Sequence, residues 1–211
     1  MKSLNFLFSL LVVSFTLNGQ IRNYNIEGEI TSPEGRRYAY IFIKEIYEDP
    51  PRLICKPILN RKFDITGDID LKGKLMGTAL LFLDTVSNLT ADSFSSRLKN
   101  GYRNYRPIIL EDMVVKIGDI NNVDLAIIDG GDLSRDWDKL FEATASGKYE
   151  EFIMQNPDSP ASLYLIRTLY NIDSKTSIPM PLNFLRLFKS LSERIRRSKE
   201  GMDLMLEMSS I

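Results

Sequence analysis

Carboxylates are the residues of this sequence best suited to catalysis. They lie close together in two places, at Glu45, Glu48 and Asp49 after a predicted strand and at Glu111 and Asp112 in a predicted hairpin tip. Two carboxylic acids alone can hydrolyse a glycosidic bond. Strand ends and hairpin tips are also solvated positions, where charged side chains are common for no functional reason. We therefore keep a carboxylate-based glycan hydrolase only as a minor hypothesis.

The residue types needed for most other chemistry are scarce. The chain contains no histidine, the commonest general base and metal ligand. Cys55 is the single cysteine, so no intramolecular disulfide and no CxxC pair can form, and we expect a buried thiol. No Walker A, GxGxxG or GxSxG motif occurs. The sequence predicts no enzymatic activity and no cofactor.

A glycine-rich segment, Asp129-Gly130-Gly131-Asp132, has some of the composition of a calcium loop. It lacks the alternating oxygen ligands that define such loops. A link from a strand to a helix explains it more simply, and we predict no metal site.

Two segments carry candidate partner contacts. Residues 97–106 interleave basic side chains with Tyr102 and Tyr105, and tyrosine is enriched at interfaces. A solvated run of charge would look the same, but we single out Tyr102, Arg103 and Tyr105 as possible contacts. In the last predicted helix, Met202, Met205 and Met208 form a stripe. Core packing is its simpler explanation, yet Met202 and Met205 could also meet a partner.

The N-terminal residues have the layout of a secretory signal peptide. Lys2 precedes an apolar stretch over residues 4–17, and small or polar residues follow at 18–20. The stretch is shorter than the roughly 20 residues that span a bilayer, although a membrane anchor is the alternative. We predict cleavage after Gly19, an exported protein of the periplasm or outer cell surface, and no stable membrane insertion afterwards. The net charge of −1 does not favour nucleic acid.

Between residues 23 and 130 the apolar residues follow a period of two. The pattern predicts eight short strands, at 24–30, 38–43, 53–59, 62–66, 78–83, 107–110, 113–117 and 123–128. We expect the first two to pair as a hairpin, and turns at Asn60-Arg61 and Glu111-Asp112 to join further pairs. Residues 84–106 are predicted to be a polar loop with room for one helical turn.

After Gly131 the apolar period becomes that of a helix. Asp132 or Ser134 could cap the first helix, and Asn156-Pro157 ends the pattern. Ser159-Pro160 starts another helix, and Pro181 a further one. The predicted class is α+β, with an N-terminal antiparallel β-sandwich or open barrel and a small C-terminal helical bundle. The predicted units are a signal peptide (1–19), a β-sandwich-like domain (20–130) and a helical domain (131–211).

Several segments resemble one family. The strands YNIEGEI (24–30), KFDITG (62–67) and IILED (108–112), and the helical segments FIMQNPDSPASL (152–163) and LSERIRRSKEG (191–201), are similar to parts of exported bacterial thioredoxin-like proteins of the TlpA/ResA type. Such proteins often carry a β-rich domain of unknown function and a helical segment before the thioredoxin domain. The redox WCxxC motif of that domain is absent here, so the resemblance implies no redox activity for this chain.

The resemblance and the missing motifs together favour two functions. The preferred hypothesis is an exported, non-enzymatic accessory or binding module for a protein, peptide or glycan. The alternative is a component of periplasmic thiol–disulfide metabolism that acts with a separate thioredoxin-like partner.

Overall fold

The structure is a computed structural model that describes residues 21–44, 50–173 and 181–209. The predicted signal peptide (1–19) and the carboxylates Glu45, Glu48 and Asp49 lie outside the described residues. Within the described ranges the strands are β1 (Ile21–Ile30), β2 (Tyr38–Ile43), β3 (Arg52–Pro57), β4 (Lys62–Asp70), β5 (Thr78–Asp84), β6 (Arg106–Ile109), β7 (Met113–Ile117) and β8 (Ile127–Gly130). The helices are α1 (Ala91–Lys99), α2 (Asp132–Ser146), α3 (Tyr149–Gln155), α4 (Pro160–Asp173), α5 (Phe184–Ser190), α6 (Glu193–Arg196) and α7 (Lys199–Ser209). The α+β prediction is confirmed.

The strands form two four-stranded sheets. The first sheet has the order β4-β1-β7-β8 and the second the order β3-β2-β5-β6. Along β1 the buried Tyr24, Ile26 and Ile30 alternate with exposed polar residues, so one face of this strand enters the core. Inward-facing side chains of both sheets share that core, and the described strands do not close into a barrel.

The predicted hairpin of the first two strands is wrong. β1 pairs with β4 and β7 in the first sheet, whereas β2 pairs with β3 and β5 in the second. Nearly every residue of β2 is buried, so this strand needs packed layers on both faces and an interior place in its sheet. The connection over residues 31–37 is long enough to cross the roughly 10 Å between packed sheets.

Other predicted pairings are corrected in the same way. Asn60 and Arg61 do form a tight turn, closed by a bridge between Leu59 and Lys62, but the strands on either side enter different sheets. The corner at Glu111-Asp112 also connects the two sheets. The sandwich is not wholly antiparallel, because β1 and β7 run parallel. The predicted strand at 123–128 is a 3₁₀ turn over Val123–Leu125 followed by β8.

The segment predicted as a polar loop contains α1, which covers the outer face of the second sheet. The Thr90 hydroxyl caps this helix by accepting from the Ser93 N–H at 3.2 Å. Phe94 is its one buried residue and packs with Tyr40, Phe42 and Phe82. Ala91, Phe94 and Leu98 do share one face of α1, but three apolar residues among polar ones gave only a weak helical pattern.

The C-terminal helices pack around their own apolar core. The predicted helix start at Ser159-Pro160 is confirmed, since α4 begins at Pro160 and the Ser159 hydroxyl accepts from the Ala161 N–H. Two predicted starts are wrong. The residue before α2 is Gly131, without a side-chain cap from Asp132 or Ser134. Helix α5 begins at Phe184 with Asn183 as its cap, not at Pro181.

The sandwich and the bundle are in direct contact near the predicted boundary. β8 ends at Gly130 and α2 begins at Asp132. Ile109 of β6 belongs to the apolar core of the helical bundle. Leu75 and Met76, from the connection between β4 and β5, pack against the same core. The Leu75 N–H also donates to Glu200 Oε2 of α7 at 2.9 Å. Among the helices of the described ranges, none combines the length and the apolar character needed to cross a membrane.

Candidate functional site

The predicted contacts Tyr102, Arg103 and Tyr105 follow directly after α1. Tyr102 and Tyr105 are half-buried against the aromatic cluster of Tyr40, Phe42, Phe82 and Phe94. Arg103 is exposed, and its guanidinium donates to the Leu98 and Tyr102 carbonyl oxygens at the end of α1. The three residues are therefore close together, but each has a structural role in holding α1 on the sheet.

The basic residues around these tyrosines do not form a freely solvated run. Arg97 of α1 pairs with the buried Asp84 at 2.5 Å, and Arg106 pairs with Asp138 of α2 at 2.5 Å. Burial alone would raise the pKa of Asp84. The Arg97 guanidinium and the N–H groups of Thr85 and Val86 outweigh that effect and hold the pKa below its ordinary value.

The Asp84–Arg97 pair predicts a specific dependence of stability on pH. Because the folded-state pKa of Asp84 lies below the ordinary value of 3.8, the pair stabilises the fold above pH 3.8. This contribution is lost as the pH falls through the folded-state pKa. Asp84→Asn should lower the free energy of unfolding by about 2 kcal/mol at pH 7. The difference from the unsubstituted protein should shrink in acid, as measured by urea unfolding at several pH values; a constant difference would contradict this role.

The methionine stripe divides between the two faces of α7. Met208 packs against the bundle core, whereas 52% of Met202 and 37% of Met205 are exposed. Leu206, beside them on the helix, is 67% exposed. Core packing is therefore the wrong explanation for Met202 and Met205. We call the surface formed by Met202, Met205 and Leu206 the α7 outer face.

The Glu111 carboxylate, a candidate for catalysis, caps a helix. Its oxygens accept from the N–H groups of Ser134 at 2.6 Å and Leu133 at 3.3 Å, in the first turn of α2. A Cβ atom on Gly131 would lie 2.1 Å from Glu111 Oε1, so this close approach requires glycine. Glu111 thus replaces the cap expected from Asp132 or Ser134, and its neighbour Asp112 is exposed.

The glycine-rich segment from Asp129 to Asp132 links β8 to α2. Gly130 and Gly131 have φ angles of 99° and 58°, in the region that favours glycine. In the described ranges no group of three His, Cys, Asp or Glu side chains is placed to hold a metal ion. Cys55 lies on the edge strand β3 and is half-buried, less enclosed than expected.

Sequence patterns did not reveal an aromatic patch on α2 and α4. Trp137 packs edge-on to Phe141 and at an inclined angle to Tyr164, with ring centroids 5.9 and 4.7 Å apart. Phe141 and Tyr164 are exposed, whereas Trp137 is buried beneath them. The rings touch one another, so a ligand has no room between them. The spacing of Trp137 and Phe141 by one helical turn was the available signal.

A second feature not predicted is a polar groove between the sandwich and the bundle, of about 420 Å³. We call it the junction groove. Its walls include Arg22 of β1, Asp112 at the corner between β6 and β7, Leu133 of α2 and Pro160 of α4. Arg22 shares the face of β1 that otherwise carries Tyr24 and Ile26 into the core. In the alternating pattern of β1, Arg22 occupies a position where an apolar residue is expected. This departure from the pattern was the sequence signal for the site.

The two helical segments behind the family resemblance contact each other. Asp158 accepts hydrogen bonds from the Ser192 hydroxyl at 2.5 Å and from Arg194 Nε at 3.0 Å. The Ser192 N–H donates to the Pro157 carbonyl oxygen. Both segments therefore serve to fix α6 against the start of α4.

Comparisons with protein-family models, curated proteins and solved structures find no match to this chain. The resemblance to the TlpA/ResA type rests on the sequence segments quoted above.

Proposed function

We propose that the chain is an exported, non-enzymatic binding module whose protein partner docks on the α7 outer face. The observation that carries this proposal is the exposure of Met202, Met205 and Leu206 side by side on one helix. Methionine side chains are flexible and polarisable, which suits them to contacts with apolar protein surfaces. The face contains no aromatic ring or charge, so its chemistry fits a protein better than a glycan.

The remainder of α7 is held firmly, which supports a role in presenting that face. Arg167 of α4 pairs with Glu207 at 3.1 Å, and the Tyr170 hydroxyl donates to the Glu207 carbonyl oxygen at 3.1 Å. Glu200 is bonded to the sandwich through Leu75. A helix fixed to both units loses little conformational freedom when a partner binds.

Two observations support the export and non-enzymatic parts of the proposal. Residues 2–20 have the layout of a signal peptide, with a basic start, an apolar stretch and small or polar residues at its end. The capping role of Glu111 gives its carboxylate a purpose other than hydrolysis. Retention of residues 1–19 on the mature protein, measured as intact mass, would contradict the export part.

The docking part is tested by site-specific photo-crosslinking in the cells that produce the protein. A photoreactive residue at Met202 or Met205 should yield one defined adduct, and Met205→Glu should abolish the adduct formed from position 202. The matched control is Met154, which is 54% exposed and belongs to a different helix, α3. Adducts of equal yield from position 154, or none from 202 and 205, would contradict docking. A partner with a WCxxC motif would instead favour the role in thiol–disulfide metabolism.

A further inference from the structure

The junction groove has the size and position of a small-ligand site. Its volume of about 420 Å³ lies within the usual range for such sites, which often occur where two structural units meet. The groove is distinct from the α7 outer face, and its role does not depend on the function proposed there.

Among the described residues, Arg22 is the basic group in this groove that has no protein anion to bind. Within the described residues it makes no ion pair and no hydrogen bond, although it is half-buried. The other basic residue of the groove, Arg194, is held by Asp158 at 3.0 Å. A guanidinium that has lost part of its hydration gains strongly from a bidentate bond to a carboxylate or phosphate. The position of Arg22 therefore favours an anionic ligand group.

The groove also has an uncommitted carboxylate. Glu111 accepts from the first turn of α2, and Asp132 pairs with Arg135. Asp112 is exposed and makes no ion pair or hydrogen bond among the described residues. The remaining walls include three apolar side chains, Leu75, Leu133 and Pro160.

We propose that the junction groove binds a short zwitterionic peptide with an apolar side chain. Its terminal carboxylate bonds to Arg22, its ammonium group pairs with Asp112, and its side chain packs on the apolar wall. Among the described residues that line the groove are the carboxylates of Glu111, Asp112 and Asp132 but only two guanidinium groups, Arg22 and Arg194. A phosphate dianion would be repelled more strongly than a single carboxylate, so the balance of charge favours the peptide.

The test is calorimetric titration of the full mature chain with the dipeptide Leu-Leu. Amidation of the peptide carboxyl group should weaken binding by about tenfold or more, and Arg22→Gln should weaken it equally. The two changes combined should cost no more than either alone, because both remove the same contact. Acetylation of the amino group should weaken binding to the unsubstituted protein but not to Asp112→Asn.

The controls separate binding from folding. Arg186→Gln, on α5 and outside the groove, should leave binding unchanged, and Arg22→Lys retains a cation if the glutamine variant unfolds. The amidated peptide tests the contact without any substitution in the protein. Absence of dipeptide binding, equal binding by Arg22→Gln, or tighter binding of inorganic phosphate would each overturn the proposal.

Discussion

Replacing Phe94 with alanine is expected to lower the free energy of unfolding by about 3–5 kcal/mol. Phe94 is fully buried between α1 and the second sheet. Its ring stacks on Phe82 at a centroid distance of 3.9 Å and meets Phe42 edge-on at 5.0 Å. It is the single fully buried residue of α1, and Ala91 and Leu98 of the same helix pack on this cluster while remaining partly exposed. Tyr102 and Tyr105, which pack on the same cluster, should become more exposed.

The measurement is urea unfolding, together with hydrogen exchange of residues 91–105. Phe141→Ala is the matched control, because that ring is 44% exposed on α2 and should cost about 1 kcal/mol or less. If Phe94→Ala cost no more than Phe141→Ala, α1 would not depend on this side chain.

Replacing Gly201 with alanine is expected to cost about 3 kcal/mol, for a different reason. A Cβ atom at this position would lie 2.3 Å from the Ile195 carbonyl oxygen and 2.7 Å from that of Arg196. Both atoms belong to the backbone of the α6 region, so no side-chain rotation can relieve the clash. Helix α7 would have to move away, and the bond from Leu75 to Glu200 would be strained with it.

Thermal and urea unfolding measure this cost, and exchange of the Leu75 N–H reports on the displaced contact. Gly118→Ala is the control, since its added methyl would meet nothing within 4 Å. That change should stay within about 0.5 kcal/mol of zero. Equal stability of the two variants would show that α7 can shift at little cost.

The fold class was predictable because the period of apolar residues changes near Gly131. The pairing of the strands was not predictable, because a period of two identifies a strand but does not show which other strands it pairs with. The turn at Asn60-Arg61 illustrates this limit: the turn itself is present, but β3 and β4 enter different sheets. α1 was missed because only Phe94 among its residues is fully buried and because the aromatic outer face of the sheet that receives it could not be foreseen.

The candidate contacts were predictable only in part. Met202 and Met205 are exposed, and the sequence could place them on one helix but could not say which face the core would take. Tyr102 and Tyr105 were chosen for their residue type, while their half-burial follows from the position of α1. Arg22 was overlooked because its significance comes from the groove around it, which requires two distant segments to meet.

The interior position of β1 has a consequence for the order in which the chain folds. Of the described strands this one is the first to be synthesised, yet it lies between β4 and β7, and residue 26 pairs with residue 113. Such non-local pairing folds slowly. Until residues 113–117 have been made, β1 has an open edge and the face that carries Tyr24 and Ile26 is incompletely covered, a state prone to aggregation. Aggregation of the unfinished chain is therefore most favoured during this interval.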